Sequence, residues 1–422
     1  MRIIVNDYSG HPFQVELSRA LAARGHSVLH LYSSDFQTPK GDLDRKRQDP
    51  TTFEVVGVSI GHPFQKYNFL KRRGEEIAYA KLVRKEIELF NPDLLIGCNN
   101  PLDAQRLIQD CCRRRGVAFV FWLQDIYSNA IRCILSKKLH FVGAAIGAWY
   151  QGLEKRLLCR SDQIVAISGD FLPQLAAWWV ETQQVSVIEN WAPKSAAKIS
   201  ERDNAWSREH DLFDKRVVLY TGTIGLKHNP DLLLAAADAL KSDHGAKLVV
   251  VSEGNYAQYV KQRAANRGLD NVVVLPFQPF SRYGEVLASS EVLVAMIEPD
   301  AADYSVPSKV LSYLRAGKPI VLAASSTNLA AKTVLRAEAG RVVSPRDRAG
   351  FVSAIAELLA NADQRETFGA SAIKYANEHF DIGTTADKFE AVFRMAVEGR
   401  QRRMTGRPST AQGVEQPGDV AG

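Results

Sequence analysis

The chain of 422 residues lacks any apolar run near the ~20 residues that a membrane-spanning helix requires. Its longest weakly polar stretch, 141–150, is about half that length. The opening MRIIVNDYSG holds one Arg and a short apolar run that stops before Asp7, which reads against a secretory leader. Cysteine is scarce. The five thiols, Cys98, Cys111, Cys112, Cys133 and Cys159, are odd in number and none lies beyond 159. Their spacing matches neither a disulfide framework nor a zinc site, so they read as small buried side chains of a reducing compartment. A cytoplasmic protein, at most peripheral to the inner face of a membrane, is therefore expected. Strong charge is lacking too. The net charge is +6 and the pI near 8.9, without the dense Lys/Arg clusters of a nucleic-acid binder. No Asp-x-Asp stands at a strand end to hold a divalent ion. Asp42 and Asp44 have that spacing but follow Pro-Lys-Gly in a polar loop.

What is present is alternation. Short apolar runs and longer amphipathic segments follow one another, the pattern of βαβ units with parallel sheets. In the first half strands are expected at 2–5, 27–31, 53–56, 94–97, 117–122, 163–167 and 185–188. Helices are expected between them at 13–23, 75–90, 103–115, 141–160 and 170–180. Residues 192–214 are polar and aperiodic and read as a linker. A second series then places strands at 217–221, 248–251, 272–275, 292–295 and 320–322. Its helices are expected near 230–241, 255–267, 282–289, 308–316, 349–361 and 363–379. This divides the chain into a first Rossmann-like domain (1–191), a linker, a second (215–383), a C-terminal helix (384–399) expected to pack back on the first, and a tail (400–422) whose composition reads as disordered. Ligands of such sheets bind outside the carboxyl ends of the strands, so the shared site is expected in the cleft between the domains.

The charge is uneven. Residues 1–200 hold 26 Lys+Arg against 20 Asp+Glu, and the remainder is balanced at 27 each. An anionic surface or phosphate partner is thus expected on the first domain.

Two segments carry chemistry. In YTGTIGLKHNPDLLL (220–234) a strand ends in a loop with Gly222 and Gly225, and Asn229–Pro230 opens a helix. Strand, glycine loop and helix N-terminus make an anion site, to which Lys227 or His228 adds charge. The plain alternative is an ordinary βα turn. In VPSKVLSYLRAGKPIVLA (306–323) Pro307 opens a helix and Gly317 closes it, so that Ser308 and Lys309 lie in the first turn. A cation there opposes the helix dipole and suits a bound anion.

These segments, in order with ELSRALAARGHSV (16–28), VFWLQDIYS (120–128), QIVAISGDFLPQL (163–175), VSVIENWAP (185–193) and AGRVVSPRDRAGFVSAIAEL (339–358), resemble glycosyltransferase family 4. Those are retaining GT-B enzymes, and the likeness is to the branch that builds exopolysaccharide and O-antigen units, the colanic-acid-type sugar transferases. The resemblance spans about residues 1–398 and implies an α/β fold of two facing Rossmann-like domains. It further implies a UDP- or GDP-sugar donor on the second domain, a polyprenyl-diphosphate-linked saccharide acceptor on the first, and no metal or other cofactor.

The resemblance assigns the diphosphate to Gly222, Thr223, Gly225 and Lys227 or His228. Ser252 and Glu253 stand at the turn after the next strand, and Phe277 and Gln278 where the base is gripped. Ser305, Ser308 and Lys309 would cover phosphates and sugar. Two family glutamates, one near the sugar and one on the ribose, are replaced by Tyr304 and Ser312, and Asp303 is the neighbouring carboxylate. Thr223 stands where the family has Arg. Lys227 and Lys309 are the cations expected to stabilise the leaving diphosphate. Asp125, after an apolar strand, is expected to face the cleft and to accept the acceptor's proton or hold the sugar. A loop or cap carboxylate is its plain alternative. His11 reads either as a contact to phosphate or acceptor or as a solvated loop side chain. Arg132, Lys137 and Lys138 flank the apolar segment 141–150, which reads either as an interfacial helix on anionic lipid or as a core helix. The competing functional readings are a nucleotide-sugar epimerase of the same fold and a catalytically weakened nucleotide-sugar binder.

Overall fold

Apolar β-branched runs that are buried on both faces can only be strands of covered parallel sheets. A computed structural model shows two of them, and it describes residues 1–64, 69–194, 201–225, 228–299 and 308–405. The first sheet holds β1 (Arg2–Asp7), β2 (Ser27–Ser33), β3 (Phe53–Val58), β4 (Leu94–Cys98), β5 (Ala118–Leu123), β6 (Gln163–Ala166) and β7 (Val185–Val187) in the order β3-β2-β1-β4-β5-β6-β7. The second holds β8 (Arg216–Thr221), β9 (Ala246–Val251), β10 (Val272–Leu275), β11 (Val292–Met296), β12 (Ile320–Ala323) and β13 (Gly340–Val343) in the order β10-β9-β8-β11-β12-β13. The pairings are all parallel. Both orders reverse direction beside the first strand, and a crevice opens at such a point. The chain is thus α/β, two Rossmann-like domains in the GT-B arrangement.

Several elements differ from the periodicity. β13 and the helix Leu329–Arg336 have no counterpart among the expected elements. β13 is only four residues long, and its glycine is dictated by contact rather than pattern. A Cβ on Gly340 would lie 1.9 Å from the Ile320 carbonyl oxygen. The expected linker is part structure: Asn204 caps the short helix Ala205–Glu209 with a reciprocal box to Ser207, and Trp206 is fully buried. Asn204 also donates to the Glu285 carbonyl at 3.1 Å, which ties the segment to the second domain. Residues 195–200 of that linker lie outside the described residues. The expected helix 170–180 is a 3-10 turn followed by Leu172–Ala177, ended by Trp179 in the left-handed region at φ 63°.

The largest difference lies at 127–159. The expected helix 141–160 is only the second of two helical arms over Tyr127–Cys159, which meet at His140 (φ 44°, ψ −118°). A straight helix would hold Tyr127 and Glu154 about 40 Å apart. Instead the Glu154 carboxylate accepts from the Tyr127 and Ser128 backbone N–H groups at 3.0 and 2.9 Å. Gly147 abuts Arg132 so closely that a Cβ would stand 3.0 Å from the Arg132 Cα. The chain therefore doubles back as a hairpin. Each arm runs about 20 Å from the Glu154 contact to the turn at His140, counting 1.5 Å per residue.

The last helix, Ile382–Thr405, returns to the first domain. Phe389 packs on Trp122 with ring centroids 4.7 Å apart, and Arg24 donates to Asp387 at 2.6 Å. Residues 400–405, expected in the disordered tail, are helical. Arg400 donates to the Arg113 carbonyl at 2.6 Å, and Arg403 pairs with Asp162. Residues 406–422 lie outside the described residues. Two ion pairs also join the domains, Lys332–Asp170 at 2.7 Å and Arg336–Glu189 at 3.3 Å.

Candidate active-site cleft

The carboxyl edges of the two sheets face one cavity of about 320 Å³. On the second-domain side β8 ends at Thr221, and Gly222 turns the chain at φ 109°. A Cβ there would press on the Lys309 Cε at 3.3 Å, so the loop comes this close to Lys309 only with glycine. The loop is shaped from below by the Tyr220 hydroxyl, which donates to the Thr223 carbonyl at 2.9 Å. His228 folds back and accepts from the Gly225 N–H at 3.0 Å through Nδ1. Asn229 caps the helix Pro230–Ala239 by accepting from the Asp231 N–H at 3.1 Å.

Lys309 stands over the Tyr220 ring, 3.7 Å from its centroid, and donates to its hydroxyl. A cation on an aromatic face is held without being neutralised. Burial pushes the Tyr220 hydroxyl well above the usual phenol range, so it stays a neutral partner. Ser308 is the residue before the helix Lys309–Arg315 and not, as expected, inside its first turn. Ser312 and Tyr283 meet in the cavity, and burial pushes the Tyr283 hydroxyl up to about 12. Tyr313 accepts from the Thr221 N–H at 3.2 Å and donates to the Val294 carbonyl at 3.3 Å, which fixes this helix to β8 and β11.

Phe277 and Gln278 line the cavity with Phe280. Gln278 accepts from the Trp206 indole N–H at 2.9 Å, so the supposed linker shapes this end of the site. Ser252 is buried behind it, and Glu253 accepts from the Phe277 N–H at 3.0 Å. Neither Ser252 nor Glu253 is among the cavity-lining residues, nor is Gly225. Lys227, Asp303, Tyr304 and Ser305 lie outside the described residues.

The first-domain wall is built from His11, Asn99, Gln124, Asp125 and Asn190. Gln124 accepts from the Asn190 amide at 2.6 Å, which ties the end of β5 to the segment after β7. Asp7 lies fully buried beneath the loop that carries His11. It accepts from the Ser9 and His11 N–H groups at 3.1 and 2.5 Å, and the Gln14 amide, turned to face it, donates as well. Burial pushes the Asp7 carboxyl up to about 7. Glu154 is the second buried carboxylate. It binds the first two N–H groups of the hairpin directly after Asp125, and burial pushes it up to about 7 as well.

Sequence reasoning missed Asp7, Glu154, Tyr220, Tyr283 and the loop residues Thr38, Pro39 and Lys40, which line the cavity from the first domain. Asp7 and Glu154 left only one signal, a carboxylate at a position where the pattern wants an apolar residue. A wider, open crevice of about 600 Å³ beside His62, Lys71 and Glu75 belongs to the first domain alone. It gathers no residues from the second sheet, so the interdomain cavity is the better candidate.

On the hairpin, Arg132 is exposed and Phe141 is 93% exposed, with Val142 and Trp149 also open to solvent. The Lys137 and Lys138 side chains lie outside the described residues. Segment 141–150 is therefore exposed near the His140 turn and joins the core at its inner end, where Tyr150 is buried and Ile146 packs against it. Among the described residues, no helix is long and apolar enough to cross a membrane.

Residues 13–193 match the family model described as Glycosyltransferase Family 4, and residues 203–375 that described as Glycosyl transferases group 1. Over 241 residues the chain is 24% identical to the putative colanic acid biosynthesis glycosyl transferase WcaI of Escherichia coli (strain K12). That alignment covers 56% of this chain and 58% of WcaI, little more than half of the relative's length. Among solved structures, Anabaena HepE in complex with UDP and glucose superposes with a TM-score of 0.67 at 14% identity, covering 93% of this chain and 99% of HepE. Sucrose-phosphate synthase from Thermosynechococcus elongatus gives 0.69 at 14% identity, covering 93% and 98%. WaaG, a glycosyltransferase involved in lipopolysaccharide biosynthesis, gives 0.65 at 15% identity, covering 93% and 99%. At these identities the structures establish the shared fold.

Proposed function

The chain is a glycosyltransferase of the two-domain GT-B fold, and on that premise we propose that it moves a sugar from a UDP- or GDP-sugar to a saccharide on a polyprenyl diphosphate. The reading includes retention of configuration, no metal requirement, and work at an anionic membrane surface in exopolysaccharide or O-antigen assembly. Support for a nucleotide-sugar donor comes from the UDP bound in HepE. Support for the pathway comes from the name of WcaI.

One observation carries the proposal. A cation fixed under a glycine turn faces a first-domain carboxylate, Asp125, across one cavity. Departure of a nucleoside diphosphate leaves negative charge on its β-phosphate, and a preorganised cation next to a close-approach loop stabilises that charge. Lys309 supplies the charge, and Gly222 lets the backbone approach. Asp125 holds the acceptor hydroxyl or takes its proton. Asp7 and Glu154 orient the loops on either side of that wall.

Membrane work is supported by the hairpin. Its exposed Phe141 and Val142 adjoin the turn at His140, and the exposed Arg132 lies on the other arm. Apolar tip plus basic flank suits anionic lipid.

The test is a screen of UDP- and GDP-sugars with a lipid-linked acceptor extract, read by product mass. Thermal shift with UDP, GDP and ADP runs beside it. Stabilisation by one nucleotide and a glycosylated lipid are expected. Stabilisation with no transfer would favour the weakened binder, and no stabilisation by any of the three would sink the donor assignment. A free nucleotide sugar isomerised without acceptor would favour the epimerase.

A further inference from the structure

Two stretches of chain join the domains, and one buried side chain touches both. The first leaves the first domain at Trp191. That indole is buried and stacks on Trp122 with centroids 6.1 Å apart, and it lies 6.3 Å from Phe389 of the last helix. The second runs from the end of the helix Ala362–His379 through Phe380 to the last helix at Ile382. Trp191 and Phe389 share one aromatic cluster inside the first domain. Rotation of one domain against the other must therefore be absorbed after Trp191 and around Phe380, in the few residues between packed elements.

Arg315 sits on both points. It ends the helix Lys309–Arg315 and is 8% exposed. Its Nε and Nη2 donate to the Ala192 carbonyl at 3.4 and 3.2 Å. Nη2 also donates to the Phe380 carbonyl at 3.1 Å, and Nη1 to the Asn377 side chain at 3.2 Å. The guanidinium lies 5.4 Å from the Phe380 ring. From the first domain, Glu16 accepts from the Trp191 indole N–H at 2.7 Å and feels the Arg315 charge. The first crossover is thus gripped by a carboxylate of one domain and a guanidinium of the other. A planar fork of donors spans these two carbonyls and the Asn377 side chain in a fixed geometry, whereas an ammonium carries its three donors on one nitrogen at the end of a flexible stem. The other end of the same helix brings Lys309 and Ser312 into the cavity.

We propose that Arg315 is a positioning residue for sugar transfer. By holding both crossovers at once it sets the angle between the domains, and with it the separation of the Asp125 wall from the Lys309 wall. The proposal rests on the interdomain cavity being the reaction site. Misplacement of reacting groups by about 1 Å is enough to cost up to about a hundredfold in rate, so a residue that touches no substrate can still govern turnover.

The test compares the full chain with Arg315→Met, Arg315→Lys and Glu16→Gln. Small-angle scattering with and without UDP reads the distance between domains, thermal shift with UDP reads donor binding, and steady-state kinetics reads transfer. Arg315→Met is expected to broaden the interdomain distance distribution and lower kcat by about tenfold or more, with donor KM and the UDP-induced shift unchanged. Arg315→Lys is expected to restore part of both. Glu16→Gln, which keeps the hydrogen bond to Trp191, is expected to fall between wild type and Arg315→Met. A wild-type scattering profile and kcat in Arg315→Met would overturn the proposal. So would loss of kcat, UDP shift and melting temperature together, in that variant or in Arg315→Lys, which is the mark of a merely structural side chain. If the wild-type chain transfers no sugar, the scattering arm with UDP still decides the hinge, and only the catalytic reading fails.

Discussion

Under the carboxyl edge of the first sheet, buried carboxylates hold the cleft loops in place: Asp7 beneath residues 8–11 and Glu154 at the foot of the hairpin. Under the edge of the second sheet, tyrosine hydroxyls do the same work: Tyr220 beneath the glycine loop and Tyr313 between β8 and β11. The strand orders are alike, so the difference lies in chemistry rather than topology. Buried carboxyls raised to about 7 make the first wall responsive to pH near neutrality. Buried phenols raised above their usual range stay neutral, and among the described lining residues Lys309 brings an ammonium to the second wall. One wall can gain or lose protons, and the other carries the cation that the proposed function assigns to a diphosphate.

The comparison breaks most visibly at the cation. Lys309→Met is expected to cost about 3–4 kcal/mol in transition-state stabilisation, some hundreds-fold in kcat/KM, and to weaken the UDP-induced thermal shift. Transfer within tenfold of wild type would remove Lys309 from the role. On the opposite wall, Asp125→Asn is expected to lower kcat about a hundredfold while leaving the UDP shift unchanged. A parallel loss of nucleotide binding would mean that the two walls are not divided between donor and acceptor.

Glu154→Gln sharpens the difference in pH response. The folded-state carboxyl is raised from 4.5 to about 7, so the folded protein holds its proton over a range where the unfolded chain has lost it. That stability is fully present below about 4.5 and is lost as pH rises through about 7. Relative to Glu154→Gln, the wild type is expected to lose up to about 1.4 kcal/mol per pH unit across that window and to level off above pH ~8. Urea melts at half-unit steps measure it, and a flat difference would mean that the Glu154 carboxyl is not raised. The smallest effect per substituted residue concerns the hairpin. Neutralising Arg132, Lys137 and Lys138 is expected to weaken binding to anionic vesicles by about 1 kcal/mol per residue at the surface, without altering nucleotide affinity. Equal binding of wild type and variant would detach the hairpin from the membrane.

Some of this could be read along the chain. Alternation of apolar runs with amphipathic segments located the strands of both sheets except β13. The strand-glycine-cap order of 220–234 and the placement of Lys309 pointed at the second wall, because backbone geometry and helix capping are local. Trp206 escaped because its segment has no period, and its burial depends on Glu285 and Gln278 far along the chain. The hairpin escaped because its first arm was not among the expected helices, and its fold-back rests on Glu154 and Gly147 meeting residues 127–132, contacts that no local pattern reports.

Sequence by itself determined most of the strands and helices, the two-domain α/β organisation, the excess of positive charge in the first half and the family likeness. Each follows from periodicity, composition or short-range motifs. Tertiary structure alone decided that Asp7 and Glu154 are buried, that Lys309 rests on Tyr220, that the hairpin folds back on itself and that Arg315 joins both crossovers. In each case the partners are distant in sequence or the charge is desolvated by neighbours from other elements, and only the folded chain brings those together.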